Sequence, residues 1–179
     1  MNTPDTNQKD SFVARLRRWK DDRGALANLR SALRSQSDLR RRAWPLLAQL
    51  TSLENPSLII YETVAGLWAT DPDNHRAGAG NFGGTCCKLR GDHESFDVRF
   101  RRLLACDERK ELCEHLVPIS LAARAKGIAV DYDALFRDLQ FYAGDGCDRV
   151  RTRWAQTYWG TAAEEASAAE SQTVNATNS

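Results

Sequence analysis

Residues 57–64 read SLIIYETV, and the conformation assigned to them decides the fold class. Their β-branched content suits a strand. A strand needs partners, however, and no second run of that composition occurs elsewhere in the chain, so the segment reads as helix. Leu58, Tyr61, Ala65 and Trp68 then form its apolar stripe, and Asn55-Pro56 is expected to supply the N-cap and first helical residue.

The helical period continues on both sides. Phe12, Leu16 and Trp19 recur at i, i+4 and i+7 behind Ser11 as N-cap, with a break at Arg23-Gly24. Leu26, Leu29 and Leu33 define a second helix, and Leu39, Trp44, Leu47 and Leu50 a third, with Pro45 in its first turn or kinking it. Further on, a short helix is expected near 84–90 and another from Ser95 carrying Phe96, Phe100, Leu103 and Leu104. A longer one shows Leu112, Leu116, Ile119 and Ala123, kinks at Pro118 and stops at Gly127. Asp131 caps a helix with Leu135, Phe136 and Leu139, and the last helix carries Val150, Trp154 and Tyr158. The expectation is an all-α fold, an irregular bundle of about eight or nine helices, in one domain over residues 11–160. Residues 1–10 are expected to be a flexible N-terminus. Residues 161–179, TAAEEASAAESQTVNATNS, are expected to be a disordered acidic tail, too poor in apolar surface to repay ordering.

Composition narrows the classes. The chain has 179 residues, 42% hydrophobic and 27% charged, an ordinary globular balance with room for one core. No run approaches the roughly 18 apolar residues of a membrane span, and MNTPDTNQKD lacks the apolar stretch of a secretory signal. Five cysteines without an export signal point to a reduced, cytoplasmic chain. Neither they nor the three histidines have zinc-site spacing, so no metal or other cofactor is expected. The net charge of +1 conceals a gradient: residues 1–50 hold eleven Lys or Arg against five Asp, and residues 161–179 hold three Glu and no basic residue. Clustered charge, rather than the sum, sets the local potential.

Catalytic patterns fail. GAGNFG at 78–83 matches the dinucleotide-binding fingerprint literally, but that motif needs a strand before it and a βαβ unit around it. A flexible connector is the better reading. No nucleophile elbow or H-E-x-x-H occurs. His75 and His93 have acidic neighbours, which leaves a metal-dependent nuclease as a distant alternative.

The arginines fall in stripes. In the helix from Ser95, Arg99 and Arg102 lie on one flank of the apolar face and Arg101 on the other; in the last helix Arg149 and Arg153 share a flank and Arg151 projects opposite. Lys88 and Arg90 follow the glycine-rich loop, and Arg30 and Arg34 lie on the second helix. Singly, such residues keep a helix soluble. Converging on one face, they would track a phosphodiester backbone. Trp19, Trp44, Trp68 and Trp154 sit in apolar stripes and read as core; Trp159 lies at the end of the last helix.

FVARLRRW, ALANLRSAL, GNFGGTCCKLRG, the long stretch from SFDVRFRRLLACDERK to YDALFRDLQFY, and DRVRTRWAQTYWG occur in an order that resembles the CasB family, the small subunit of the type I-E CRISPR Cascade complex. The resemblance spans residues 11–160. It implies a non-enzymatic, all-α subunit that binds nucleic acid without sequence specificity, sits as two copies beside the crRNA-bearing backbone subunits and the large subunit, and stabilises the R-loop of crRNA, target DNA and displaced non-target strand. By motif, the residues carried over are Arg30, Lys88, Arg90, Arg99, Arg101, Arg102, Arg149, Arg151 and Arg153. The loop before residue 81 has only His75 and Arg76 and no lysine, which weakens any DNA contact expected from it. A purely structural scaffold subunit and a stand-alone helical DNA-binding regulator are the competing readings.

Overall fold

The computed structural model describes residues 11–91, 95–144 and 146–160. The expected N-terminal arm, the acidic tail and His93 lie outside the described residues. The elements are α1 (Phe12–Leu16), α2 (Arg23–Ser31), α3 (Ser37–Arg40), α4 (Trp44–Leu47), α5 (Leu58–Thr70), α6 (Phe82–Arg90), α7 (Phe96–Ala105), α8 (Arg109–Ala125) and α9 (Tyr132–Gln140). A last helix, α10, covers 146–160. Extended pairing among the described residues is confined to one isolated bridge between His75 and Val130. The fold is all-α.

SLIIYETV is the start of the central helix. Ile60 and every residue from Glu62 to Ala69 are buried, because α5 packs against α2, α8 and α9 at once. A helix enclosed on all sides is apolar all round rather than striped, which is why the segment imitates a strand. Gly66 lets α2 come close: a Cβ there would lie 2.7 Å from Leu33 Cγ and 3.2 Å from the Leu29 carbonyl.

Several boundaries differ from the expected ones. Asn55 does not cap α5; its Oδ1 accepts from the Ser57 amide at 2.8 Å, an Asx turn that carries Pro56 outside the helix and leaves Ser57 as N-cap. The break after α1 comes earlier than Arg23-Gly24, with Asp22 capping α2 through the Ala25 amide at 2.9 Å. The expected third helix is split into α3, a 3-10 turn at Arg41–Ala43, and α4. Pro45 has no N–H to bond the Arg41 carbonyl, so the α ladder cannot run through that point. This irregular segment is pinned from the side by buried Glu62, which accepts from Arg40 and from Trp44 Nε1 at 3.2 Å.

Other signals hold. Ser11 and Asp131 cap α1 and α9, and Gly127 ends α8 at φ +67°. Trp19, Trp68 and Trp154 are buried, and Trp44 and Trp159 pack half-buried against the core. α6 and α10 cross so closely that a Cβ on Gly83 would stand 2.1 Å from the Trp154 carbonyl oxygen. The glycines of GNFGG therefore serve a helix crossing.

Candidate nucleic-acid interface

The expected basic residues divide into groups. Arg149 and Arg153 are exposed one turn apart on α10. Asn81 ties α6 to that helix: it caps α6 through the Gly84 amide (3.2 Å) while its Nδ2 donates to Thr157 Oγ1 (2.8 Å) and to the Arg153 carbonyl (3.4 Å). Exposed Lys88 lies one turn beyond Gly84 on the same face of α6. Lys88 thus lies on α6 toward its Arg90 end, and Arg149 and Arg153 on α10, two helices in contact where Gly83 meets Trp154.

Arg153 has a second attachment. Its guanidinium pairs with Asp138 on α9, whose other oxygen accepts from Trp154 Nε1 at 2.6 Å. Burial pushes the Asp138 carboxyl above its ordinary range, against the pull of these two donors. Arg153 therefore offers only part of its guanidinium to a ligand.

Arg90 and Arg101 gather at the other end of α10. Arg90 lies 5.0 Å from the Tyr158 ring centroid and 3.9 Å from Asp97, with only 18% of its side chain exposed. Arg101 is exposed and stacks 5.0 Å above Trp159. Asp97 is the hub: it accepts from the Tyr158 hydroxyl at 2.5 Å and from Trp159 Nε1 at 3.4 Å. The hydroxyl, foremost, holds its carboxyl below the usual range. Because Asp97 turns toward α10, Arg101 on the same flank of α7 does too. Arg99 and Arg102, exposed, occupy the opposite flank. Arg30 is exposed on α2, whose neighbours are α5 and the turn at Arg41–Ala43.

Arg151 departs from expectation. Instead of projecting to solvent, it turns inward. Nε donates to the Tyr142 hydroxyl (2.9 Å), which itself donates to the Cys106 carbonyl (2.7 Å); the terminal nitrogens reach that carbonyl, Asp107 (2.8 Å) and Asp148 (3.3 Å). This guanidinium fastens α10 to the α7–α8 junction and is consumed in doing so. Arg109 acts similarly, donating to the carbonyls of Gln140 and Tyr142 (both 3.0 Å) and to Ser57 Oγ (3.2 Å).

Two exposed side chains escaped the sequence reading. Arg137 projects from α9, and Phe141, just past its end, is 70% exposed. Together with Arg153 they line an open groove of about 460 Å³ beside the glycine-rich loop. The signal for Phe141 was its failure to continue the Leu135–Leu139 stripe.

Among the described residues, one group of three side chains could hold a metal ion. No disulfide joins the five cysteines. Cys106, Glu111 and His115 place one potential ligand atom each within 4.8 Å of one another, a juxtaposition that sequence spacing did not suggest. Burial pushes the Cys106 thiol up to about 11. Its sulfur lies 3.3 Å from the Arg102 carbonyl, and the Arg151 guanidinium sits on its own carbonyl.

The fold and its surface define a small all-α protein whose exposed basic side chains are carried by several separate helices. The chain belongs to the CRISPR-associated Cse2 family, whose model matches residues 25–159. Solved structures with the same fold include a CRISPR-associated Cse2-family protein from Thermus thermophilus, 21% identical, covering 83% of this chain and 96% of that one at a TM-score of 0.67. CasB from M. ruber is 22% identical, covering 88% and 97% at a TM-score of 0.67. CasB from Thermobifida fusca is 22% identical, covering 82% and 94% at 0.58. No curated protein sequence matches the chain. No helix among the described residues is long and apolar enough to cross a membrane.

Proposed function

We propose that this chain is a non-catalytic subunit of a type I-E crRNA-guided surveillance complex, Cascade, and that it binds nucleic acid without sequence specificity to stabilise the R-loop, chiefly by holding the displaced strand. Its partners in this reading are crRNA, target DNA, the displaced strand, a second copy of itself, and the backbone and large subunits. Family membership supports the assignment to CRISPR immunity. The observation that carries the binding role is that Lys88 on α6 and Arg149 on α10, two helices in contact, are both exposed and have no carboxylate partner among the described residues.

Energetically, a modest contribution suffices. Exchanging a DNA duplex for an RNA–DNA heteroduplex is nearly balanced, so a few phosphate contacts to the freed strand tip it. Arg151 contributes to the fold in this reading, and Arg153 to both fold and surface. The decisive comparison is therefore the lifetime of the R-loop on the assembled complex with Lys88→Ala/Arg149→Ala, which spares both. A shortened lifetime that lengthens again at low salt supports the clamp. An unchanged lifetime across salt concentrations, with the complex intact, leaves the scaffold reading in its place. That reading draws on Arg90, Arg109 and Arg151, whose charge is spent within the molecule.

A further inference from the structure

Phe141 is the anomaly of the surface. Large apolar side chains that stand 70% exposed in a folded domain are informative where charged groups flank them. Here Arg137 and Arg153 line the same groove, and another wall of it is the loop at Gly78 and Gly80. Both glycines have positive φ and open space where a side chain would be, so the wall is bare backbone. Asp138 in the floor already binds Arg153 and Trp154. Asp131, also lining the groove, is spent on the amides of Gly78 (2.7 Å) and Ala134 (2.9 Å). Arg137 has no carboxylate within salt-bridge distance among the described residues. The groove therefore presents an aromatic face and unspent positive charge to solvent, with its carboxylates turned inward.

We propose that this groove seats one unstacked nucleotide of a single DNA strand, its base stacked on Phe141 and its phosphates facing Arg137 and Arg153. An open volume of about 460 Å³ is in the range of small-ligand sites. Stacking on an aromatic ring is indifferent to base identity, because every base has a π face. The inference rests on the proposed single-strand binding and adds a base contact to what would otherwise be phosphate contacts alone. Arg149, one turn from Arg153 on α10, extends the path for the neighbouring phosphate.

The test uses the full-length chain, oligo(dT) as probe, and the same oligomer with one 5-iodouracil for photocrosslinking. Phe141→Ala is expected to weaken binding about tenfold with the salt dependence unchanged, since no phosphate contact is lost. Phe141→Trp restores binding and Phe141→Leu does not. Arg137→Ala instead reduces the slope of log K against log[salt] by about 0.7. The crosslink maps to Phe141. Full-strength binding by Phe141→Ala, or a crosslink elsewhere, overturns the stacking site while leaving single-strand binding in place. Rescue by Leu also overturns it, and marks the patch as an apolar protein contact. If the unaltered chain shows no salt-dependent binding, the proposed function falls and this site with it. Thermal melts check that each variant is folded.

Discussion

Gly83 has no Cβ because the Trp154 backbone occupies that space, 2.1 Å from where the carbon would stand. Backbone cannot swing aside as a flexible side chain can, so Gly83→Ala must push α6 off α10. The expected cost is about 3 kcal/mol, seen as a fall in Tm of roughly 10 °C. The Tyr158–Asp97 contact gives a residue-scale prediction with a pH signature. The Asp97 carboxyl is held below its ordinary value, mainly by the Tyr158 hydroxyl. Its contribution is then complete above the unfolded-state value near 4 and is lost as pH falls through the lower folded value. Tyr158→Phe is expected to cost about 1 kcal/mol at pH 7. The difference between parent and variant should shrink as pH falls below the ordinary carboxylate value and through the lower folded one, as both forms lose the ionised carboxylate. Urea titrations at neutral and acid pH measure it.

Elements in this fold share one apolar core, and two buried carboxylates add polar joints between them. Glu62 on α5 pins α3 and α4 through Arg40 and Trp44, and Asp138 on α9 pins α10 through Arg153 and Trp154. Each is a buried acid holding one arginine and one indole. Arg40→Met leaves Glu62 with Trp44 as its remaining side-chain donor. The expected loss is about 3 kcal/mol, read as a lower urea midpoint with unchanged m. Such pairings were not legible from the sequence, where Arg40 and Glu62 look like ordinary surface charges. Helix existence was legible nearly throughout, because period and caps are local properties. Boundaries were less so: Pro45 lacks the N–H that would carry the ladder through, and Asn55 forms an Asx turn with Ser57 in place of a cap.

At the scale of the whole fold, the exposed basic side chains of the described residues are carried by several separate helices. Lys88 is exposed on α6, and Arg149 and Arg153 on α10; Arg101 joins Arg90 at the far end of α10; Arg99 and Arg102 take the opposite flank of α7; Arg151 turns inward. This distribution makes a graded prediction. On a labelled single strand, Lys88→Ala/Arg149→Ala should reduce the slope of log K against log[salt] by about 1.4, at roughly 0.7 per contact. Arg99→Ala/Arg102→Ala should reduce it less, and Arg30→Ala least. Equal reductions from all three would mean that net charge, rather than one surface, attracts the strand.

Hydrophobic period, capping residues and the order of short motifs determined by themselves that this chain is helical and which family it resembles, because those signals are written within a few residues of one another. Which arginines face solvent was decided only by tertiary structure. A guanidinium within reach of a buried carboxylate or carbonyl is drawn inward, and that reach depends on residues up to 45 positions away, as between Arg151 and Cys106. The same holds for Phe141, left outside because the chain turns after α9 before its ring meets the core.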